Sequence, residues 1–523
     1  MAQTQYRANL SAKDFVFSSQ QWGRTIIVKQ FDQNFSRQIV SATDPDKDIG
    51  IPQIYYCHNV MPAAQGFQSV GIKQVIPGVS GTNNIFQVIP FSDTASGNTG
   101  WLMIVDNGGS SYGVWYILTT GASWTFLQNV TPVAFYKTLK ITTANVNGQT
   151  YILFPGTICY IFDGGSFTPV ALQGLDITTI QGITQSFGYM IAWSATAVAW
   201  SSTIDPTDFT PSLITGAGGG QISPLSGDIV SIERHTFGFI AFSTTNCVAA
   251  VYSGNSRFPF NFREIIGGGG LTPNRFLSAL DSESGNLYSY TSAGLQLISI
   301  TQASIVFPEL TNYIGGGLFE DFDDATLQFI ETTIDSGSME KMVRVISERY
   351  LTISYGTVPN SGMFSHALVY DIAMKRWGKI KCGHVEIFEF ANNVAVDAAR
   401  ISLGILDANG FVYTVDFSAA ATTGGVMVLG KYQHTRNRFI TLQEVDPEIV
   451  DSTACKIYDY VTLDGKTFLP PVQLVVAAND GSGNPAINPT YNCRLTGLNH
   501  SLLFFGKFQL DSLVLSYTPN GRR

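Results

Sequence analysis

Residues 114–124 read VWYILTTGASW, which is an apolar strand pattern, a polar turn with one glycine and an aromatic residue beyond the turn. The same unit returns at 159–167 (CYIFDGGSF), 199–209 (AWSSTIDPTDF) and 369–377 (VYDIAMKRW). An aromatic ring on each side of a turn is typical of the outer hairpin of a β-propeller blade, where one ring covers the other and seals the blade against the next. The ring residues that we predict to be structural in this way are Tyr116, Trp124, Tyr160, Phe167, Trp200, Phe209, Tyr370 and Trp377.

The chain around these hairpins is patterned as strands over a long stretch. Between residues 71 and 430, strand patterns of about 5–8 residues alternate with turn residues about every 8–12 positions, and there is almost no helical period. Comparable units recur about every 40–50 residues, which is the length of one four-stranded blade. The pattern therefore predicts an all-β fold with a β-propeller of about six to eight blades over residues 71–430.

Three segments depart from this rhythm. Residues 1–70 open with alternating strand patterns, and residues 431–523 change in composition and are predicted to form a separate β-sandwich-like unit. Residues 319–349 are predicted to be either partly helical or an insertion between two blades. The acidic side chains of this stretch lack the spacing and the turning glycine of a calcium loop, so we expect a solvated acidic loop. These acidic residues are Glu320, Asp321, Asp323 and Asp324.

The composition limits the classes of function. Charged residues make up 13% of the chain and aromatic residues 12%, and 51 of the 523 residues are glycine, which suits many short strands joined by glycine turns. The formal net charge of −9 provides no global basic field that would attract nucleic acid. The chain is therefore either an ordinary mildly acidic protein or a surface that nucleic acid passes without adhering.

The sequence carries no signal for export or for membrane insertion. Residues 1–13 lack the apolar core of a signal peptide, and no run approaches the roughly 20 apolar residues of a membrane span. The six cysteines form no CxxC motif and no close pair, so we predict buried free thiols in a reducing compartment. We expect a soluble protein that is made in the cytoplasm.

Residues that could carry chemistry are scattered. The six histidines show no metal-ligand spacing. The glycine runs 216–220 and 267–270 are not followed by the Lys-Ser/Thr of a phosphate loop, so we predict that they form flexible loops or loops with positive φ between strands. We expect no catalytic residue, no metal site, no cofactor and no enzymatic activity. The best basic candidates for contact with nucleic acid or a partner subunit are residues 431–438 and the terminal Arg522-Arg523.

Three segments resemble the tail nozzle proteins of short-tailed bacteriophages, which are also called tail tubular protein B or packaged-DNA stabilisation proteins. Residues 59–67 (NVMPAAQGF) are similar to an Asn-x-x-Pro-x-x-x-Gly motif near the N-terminus of these proteins. Residues 199–209 are similar to a blade hairpin of that group, and residues 508–523 (FQLDSLVLSYTPNGRR) are similar to its closing segment. The order of the three segments along the chain carries the resemblance.

The resemblance implies a β-propeller inserted into a β-rich platform formed by segments 1–70 and 431–523. It also implies a structural virion protein whose copies, expected to be six, form the tail nozzle ring below the portal and adaptor proteins. Such a ring carries tail fibres or a needle, continues the DNA channel, retains packaged DNA and lets it pass during ejection without sequence-specific binding. The resemblance implies a location in the virion tail, and it identifies no residue that lines or gates the channel.

Two other functions stay open at the level of sequence. A glycan-binding or glycan-cleaving propeller that acts in host-receptor recognition is the main alternative, because the fold alone does not decide between scaffold, lectin and enzyme. A kelch-like cellular interaction disc is disfavoured by the separate C-terminal unit and the irregular repeat. A mildly acidic lumen fits the nozzle, because each phosphate that a protein neutralises adds salt-sensitive drag on moving DNA.

Overall fold

The fold is taken from a computed structural model of the chain. It describes residues 4–9, 54–63, 66–79, 84–93, 96–108, 111–131, 139–162, 165–271, 277–281, 284–307, 318–334, 342–346, 349–358, 363–373, 376–390, 403–416, 424–430, 439–449, 455–464, 468–476 and 490–519. The predicted basic stretch 431–438 and the terminal Arg522-Arg523 lie outside these ranges.

The chain begins in the platform and then enters the propeller. The first five strands are β1 (Thr4–Asn9), β2 (Ile54–His58), β3 (Val60–Pro62), β4 (Phe67–Ser69) and β5 (Gly71–Ile76). Strands β1, β2 and β4 pair with C-terminal strands of the platform, and β3 pairs with β4 and with a propeller strand, β32 (Arg376–His384). Strand β5 belongs to the propeller. Val70 is therefore the point at which the chain crosses from one part to the other.

Five four-stranded antiparallel blades follow in sequence order. Blades one and two consist of β6 (Ile85–Asp93), β7 (Asn98–Asp106), β8 (Tyr112–Leu118), β9 (Thr125–Val130), β10 (Thr142–Val146), β11 (Gln149–Phe154), β12 (Ile158–Phe162) and β13 (Phe167–Val170). A short 3-10 helix (Ile177–Thr179) leads to blade three. Blades three to five consist of β14 (Gly182–Ser186), β15 (Tyr189–Trp193), β16 (Val198–Trp200), β17 (Gly218–Gly220), β18 (Ser231–His235), β19 (Gly238–Phe242), β20 (Cys247–Tyr252), β21 (Phe260–Glu264), β22 (Ser278–Asp281), β23 (Asn286–Thr291), β24 (Gly294–Ile298) and β25 (Ala303–Ile305).

An inserted hairpin separates blade five from blade six. The hairpin and its partner strand are β26 (Leu318–Asp323), β27 (Gln328–Ile334) and β30 (Thr357–Val358). The strands of blade six are β28 (Met342–Ile346), β29 (Tyr350–Tyr355), β31 (Phe364–Asp371) and β32 (Arg376–His384). Blade seven is formed by β33 (Glu386–Glu389), β34 (Leu403–Leu406), β35 (Val412–Asp416) and the early strand β5. The described part of 319–349 is thus an insertion followed by the first strand of a blade, and the prediction of partial helix is wrong for it.

The seven blades of the described chain close into a ring. The innermost strand of each blade contacts the innermost strand of the next, in the order β6, β10, β14, β18, β22, β28, β33 and again β6. Neighbouring blades bury separate apolar layers between them, as in the cluster that joins Ile104 and Tyr112 of blade one to Ile152 and Phe162 of blade two. The predicted β-propeller is therefore confirmed, with a blade number inside the expected range.

Strand β5 closes the ring non-covalently. It pairs with β35 from Val412↔Ile76 to Asp416↔Gly71, so the last blade contains a strand from the start of the propeller. Blade one holds this blade from the other side, because the indole N–H of Trp101 donates to the Glu389 carbonyl at 2.8 Å and that of Trp124 donates to the Gly410 carbonyl at 3.0 Å. These two hydrogen bonds, of which that of Trp124 is buried, join the first and the last blade.

Replacing Trp124 with phenylalanine is expected to weaken this closure. The variant keeps a buried ring but leaves the carbonyl of Gly410 without the indole donor, which costs about 1–2 kcal/mol. Thermal unfolding measures the loss, and amide hydrogen exchange shows faster exchange in β5. Trp200→Phe is the control, because it removes an indole bond of 3.0 Å to Gly216 inside blade three. Equal exchange of β5 in both variants would contradict the role in closure.

The platform is a sandwich of two sheets. The C-terminal strands that build it are β36 (Gly425–Leu429), β37 (Ile440–Ile449), β38 (Cys455–Thr462), β39 (Val472–Gln473), β40 (Val475–Val476), β41 (Tyr491–Gly497), β42 (Asn499–Gly506) and β43 (Gln509–Pro519). One sheet has the order β2-β36-β42-β38-β39, and the other continues β4-β43-β37-β41-β40 with β1 on β43. Their facing apolar side chains form one core that includes Cys57, Leu442, Phe504 and Leu513. Both ends of the chain thus build the platform, and the propeller is inserted between them.

One glycine run differs from its prediction. Gly218–Gly220 forms β17, the outer strand of blade three, instead of a loop. A Cβ on Gly218 would lie 3.2 Å from the indole nitrogen of Trp200, so the missing side chain makes room for that ring. Gly216 and Gly267 do have positive φ values, of 75° and 74°. The run is therefore a small-residue strand that supports an aromatic ring.

Candidate functional site: the junction between propeller and platform

Blade six continues into the platform without a break in the sheet. Its outer strand β32 pairs with β3 at Lys379 and Val60, and β3 continues through β4 to β43. Asn59 has a positive φ of 51°, and its Oδ1 accepts a hydrogen bond of 3.0 Å from the backbone N–H of Lys381. The propeller and the platform therefore share one hydrogen-bonded sheet.

A group of polar side chains lies beside this shared sheet, and we call it the junction cluster. It collects residues from the platform strand β2, from the inserted hairpin β26–β27 and from blade six. The members of the junction cluster are Tyr56, His58, Asp321, Asp324, His366, Lys379 and Lys381. Buried charges are rare unless they are paired, so this concentration of titratable groups is the most unusual polar feature of the described chain.

Asp321 lies at the centre of the junction cluster. Its Oδ1 accepts a hydrogen bond of 2.9 Å from the Tyr56 hydroxyl and lies 3.0 Å from Lys381 Nζ and 3.4 Å from His366 Nε2. Lys381 Nζ also donates to the backbone carbonyl of Phe322 at 2.7 Å. One carboxylate of the inserted hairpin thus joins the platform to two strands of blade six. The prediction of a solvated acidic loop is wrong for Asp321, which is buried.

His58 and Lys379 complete the junction cluster. His58 is fully buried, and its Nε2 lies 3.1 Å from Oδ1 of Asp324, whose side chain is 48% exposed. Lys379 is also fully buried, and its Nζ lies 4.5 Å from the centroid of the Tyr56 ring, which is a cation–π distance. The cluster is therefore exposed to solvent at Asp324 and shielded from solvent at Lys379.

Burial and the neighbouring charges shift the pKa values of the junction cluster in opposite directions. Burial alone would raise the pKa of the Asp321 carboxyl, but the hydrogen bond from His366 and the charges of the two lysines lower it well below its usual range. Burial lowers the pKa of Lys379 to about 7 and that of His366 to about 3. At neutral pH the centre therefore holds an ionised Asp321, a neutral His366 and a Lys379 near its midpoint of titration.

Replacing Lys379 with methionine is expected to change how stability depends on pH. The folded-state pKa of about 7 lies below the usual lysine pKa of 10.5, so between these values the unfolded chain binds a proton that the folded chain lacks. The free energy of unfolding of the wild type should therefore rise with pH relative to the variant, by about 2 kcal/mol between pH 7 and pH 9. Urea unfolding at several pH values measures this difference. Lys73→Met, at an exposed position on β5, is the control, and a pH-independent difference would contradict the shift.

Two ion pairs that involve the innermost strands connect different blades. Glu386 of blade seven accepts from Arg344 Nη2 of blade six at 2.9 Å and from the backbone N–H of Val88 of blade one at 2.6 Å. Lys140, next to blade two, pairs with Glu233 of blade four. These carboxylates therefore connect blades, and each has a cationic partner.

A further pair, which is buried, lies inside the platform. Asp459 Oδ2 lies 2.7 Å from His500 Nδ1, and His500 Nε2 lies 3.3 Å from the carbonyl oxygen of Ile440. Cys493 Sγ donates to the same carboxylate oxygen at 3.4 Å, and burial followed by the charge of Asp459 raises the pKa of this thiol. The trio has the residue types of a catalytic triad, but the carboxylate stands between thiol and imidazole and the cysteine stays protonated.

The predicted ring residues lie on or beside the outer hairpins of blades one, two, three and six. In two hairpins the rings contact each other: Tyr160 stacks on Phe167 at 4.2 Å between centroids, and Tyr370 lies 4.8 Å from Trp377. In the other two hairpins the rings turn to different neighbours. Tyr116 and Trp200 face rings of the following blade, Phe162 and Phe260, at 5.8 Å each. Trp124 and Phe209 belong to the apolar layers toward the preceding blade.

The structure describes all six cysteines and five of the six histidines. The six cysteines are free in the structure, four of them buried and two partly buried. The five described histidines are all buried, and His434 lies outside the described residues. Within the described ranges, no three His, Cys, Asp or Glu side chains are arranged to hold a metal ion, and no helix is long and apolar enough to cross a bilayer.

The comparisons with known proteins found similarity to solved structures but not to protein families or curated sequences. No protein-family model matches the chain, and no curated protein sequence matches it. YCF48 from Cyanidioschyzon merolae is similar at 12% identity and a TM-score of 0.38, over 66% of this chain and 98% of that chain. BamB from Moraxella catarrhalis is similar at 9% identity and a TM-score of 0.33, over 70% of this chain and 100% of that chain. YCF48 bound to D1 peptide is similar at 11% identity and a TM-score of 0.34, over 68% and 97%.

Proposed function

We propose that this protein is the tail nozzle subunit of a short-tailed bacteriophage. Its copies, expected to be six, form a ring in the virion tail below the portal and adaptor proteins and carry fibres or a needle. The ring continues the DNA channel, retains the packaged DNA and lets it pass during ejection without sequence-specific binding. The protein acts as a structural component without a cofactor and without enzymatic activity.

The insertion of a whole propeller between two halves of a platform supports this proposal most strongly. Strand β1 pairs with β43 and β2 pairs with β36, while the described strands from β5 to β35 supply the seven blades between them. The resemblance of 59–67 and 508–523 to nozzle proteins implies this arrangement, and these segments contain β3 and β43, which link blade six to the platform sheet. Two of the three segments that carry the resemblance therefore lie in the platform and its junction, and the third, 199–209, lies in blade three.

The carboxylates of Glu386 and Glu233 favour a structural role of the propeller over glycan cleavage. A glycosidase needs two carboxyl groups that face the scissile bond, one of them free to donate a proton. Glu386 is paired with Arg344, and Glu233 is paired with Lys140, and each pair connects different blades. These two carboxylates therefore already serve the ring of blades, and the glycan-cleaving alternative has to rely on other residues.

Electron microscopy and light scattering of the purified full-length chain, alone and mixed with portal–adaptor assemblies, test the proposal. We expect a closed ring with an axial channel that binds end-on to the adaptor. A chain that stays strictly monomeric and never joins a tail would overturn the nozzle function. A glycan array and a hydrolase screen test the alternative, and a specific sugar hit that is lost when loop carboxylates such as Asp205 are neutralised would favour it.

A further inference from the structure

The inserted hairpin β26–β27 is attached to the rest of the protein in an unusual way. Its two strands pair with each other from Leu318↔Thr333 to Asp323↔Gln328. Among the described residues, its backbone pairing with other strands lies at its base, where Thr333↔Val358 and Ile334↔Thr357 join β27 to the short strand β30. The end of the hairpin is therefore held by side chains and not by a continuous sheet.

The hairpin lies across the two parts of the protein. On the platform side, Phe322 lies 5.9 Å from the Tyr56 ring, and the Tyr460 hydroxyl donates to the Leu327 carbonyl at 2.6 Å. On the blade side, Asp321 contacts Lys381 and His366. One small element thus spans the junction and touches both partners at the same time.

The charges of the two surfaces are complementary. The hairpin contributes the carboxylates Asp321 and Asp324, whereas the surface beneath it contributes two lysines and two imidazoles. The groups that face these carboxylates are Tyr56 and His58 of β2, His366 of β31, and Lys379 and Lys381 of β32. Burial lowers the pKa values of both imidazoles, so at neutral pH the lysines are the cations of this surface. Opening the hairpin would separate the carboxylates from these lysines, so the ionic contacts hold it closed.

We propose that the hairpin β26–β27 is a clasp that opens as a unit and that Asp321 and Asp324 hold it shut across the junction. Its opening removes the contacts of Asp321 and Asp324 across the junction, while the shared sheet at β3 and β32 and the hydrogen bonds from Arg376 to the carbonyls of Ala63 and Gly66 still join blade six to the platform. A segment whose strand pairing to the rest of the described chain lies at its base, and whose other contacts are made by side chains such as the buried Phe322, can open locally while the core stays folded. This inference concerns the chain itself and does not depend on the proposed function.

Amide hydrogen exchange of the full-length protein tests the clasp. In Asp321→Asn the amides of residues 321–332 should exchange about tenfold faster, because charged hydrogen bonds are lost. In Asp324→Asn the increase should be about threefold, because that pair is partly exposed. Amides of residues 350–355 in blade six and 426–428 in the platform should keep their rates. Asp323→Asn is the matched control, since this carboxylate lies in the same hairpin but caps its own turn at Ala325 and Thr326.

Three results would overturn the clasp. One is hairpin exchange that does not respond to Asp321→Asn or Asp324→Asn. Another is an equal response to Asp323→Asn, which would show that general charge and not the ionic contacts matters. The third is hairpin exchange at the same rate as the blade and platform amides, which would show that it opens only by global unfolding. Asp324→Asn alters a half-exposed side chain, so the test stands even if Asp321→Asn does not fold.

Discussion

Glu386→Ala is expected to lower the free energy of unfolding by about 3 kcal/mol, because it leaves a cation without its buried partner. The Glu386 side chain is 3% exposed and holds two neighbours: Arg344 of blade six and the backbone N–H of Val88 of blade one. The side chain of Arg344 is 23% exposed, which limits the loss to the lower part of the range for buried pairs. The midpoint of urea unfolding measures the effect.

Glu386→Gln separates the two contributions of this residue. The amide keeps an oxygen that accepts from Val88 but loses the charge that pairs with Arg344, so we expect about 2 kcal/mol. Glu264→Ala, which removes an exposed carboxylate on β21, is the control and should stay near the wild type. A loss in Glu386→Ala no larger than that of the control would show that the contact does not hold the blades together.

Asp459→Asn is expected to destabilise the platform by about 3 kcal/mol at pH 6, because it leaves a buried charged histidine without its carboxylate. Both ring nitrogens of His500 face acceptors, Asp459 and the Ile440 carbonyl, so the imidazole is held in its protonated form. Burial would lower the pKa of His500, but the charge of Asp459 and the hydrogen bond to it raise it above the usual value. The pair therefore stabilises the folded state while His500 is charged.

The pH dependence of Asp459→Asn distinguishes the ion pair from simple packing. Because the folded pKa of His500 is raised, its contribution is complete below the unfolded value of 6.5 and is lost as the pH rises through the folded pKa. The difference between wild type and variant should therefore shrink above that pKa. Urea unfolding between pH 5.5 and pH 9 measures it, with Asp228→Asn, an exposed carboxylate of the propeller, as the control. A difference that is constant with pH would contradict the charged state of His500.

The blade hairpins could be predicted because their signal is local. Tyr370 and Trp377 pair directly across β31 and β32, and a turn of a few residues brings them together without help from the rest of the chain. The sequence also carries a second local signal, because residues 93–98 (DTASGN) and 281–286 (DSESGN) repeat one turn motif. In each the serine hydroxyl donates to the aspartate, and the glycine has a positive φ of 71° or 68°. This repeat marks the inner hairpins of blades one and five.

The number of blades and the junction cluster depend on contacts that the sequence spacing does not encode. Strand β5 reads as an ordinary strand, and only its pairing with β35 places it in blade seven. Asp321 and Tyr56 are 265 positions apart, so the partner that turns an acidic stretch into a buried centre is invisible locally. The sequence indicates one part of the junction cluster. Lys379 and Lys381 are two positions apart on β32 and are separated by Ile380, so strand periodicity places both lysines on one face.

The closure of blade seven by β5 has a consequence for the order in which the protein is made. Synthesis proceeds from the N-terminus, so β5 leaves the ribosome long before β35, its only hydrogen-bonded neighbour within the described sheet. The same delay applies to β1, since Thr4 pairs with Tyr517 near the other end of the chain. Non-local pairing of this kind slows folding and exposes unpaired strand edges meanwhile. A nascent chain truncated before residue 412 therefore leaves the ring open, whatever the stability of its finished blades.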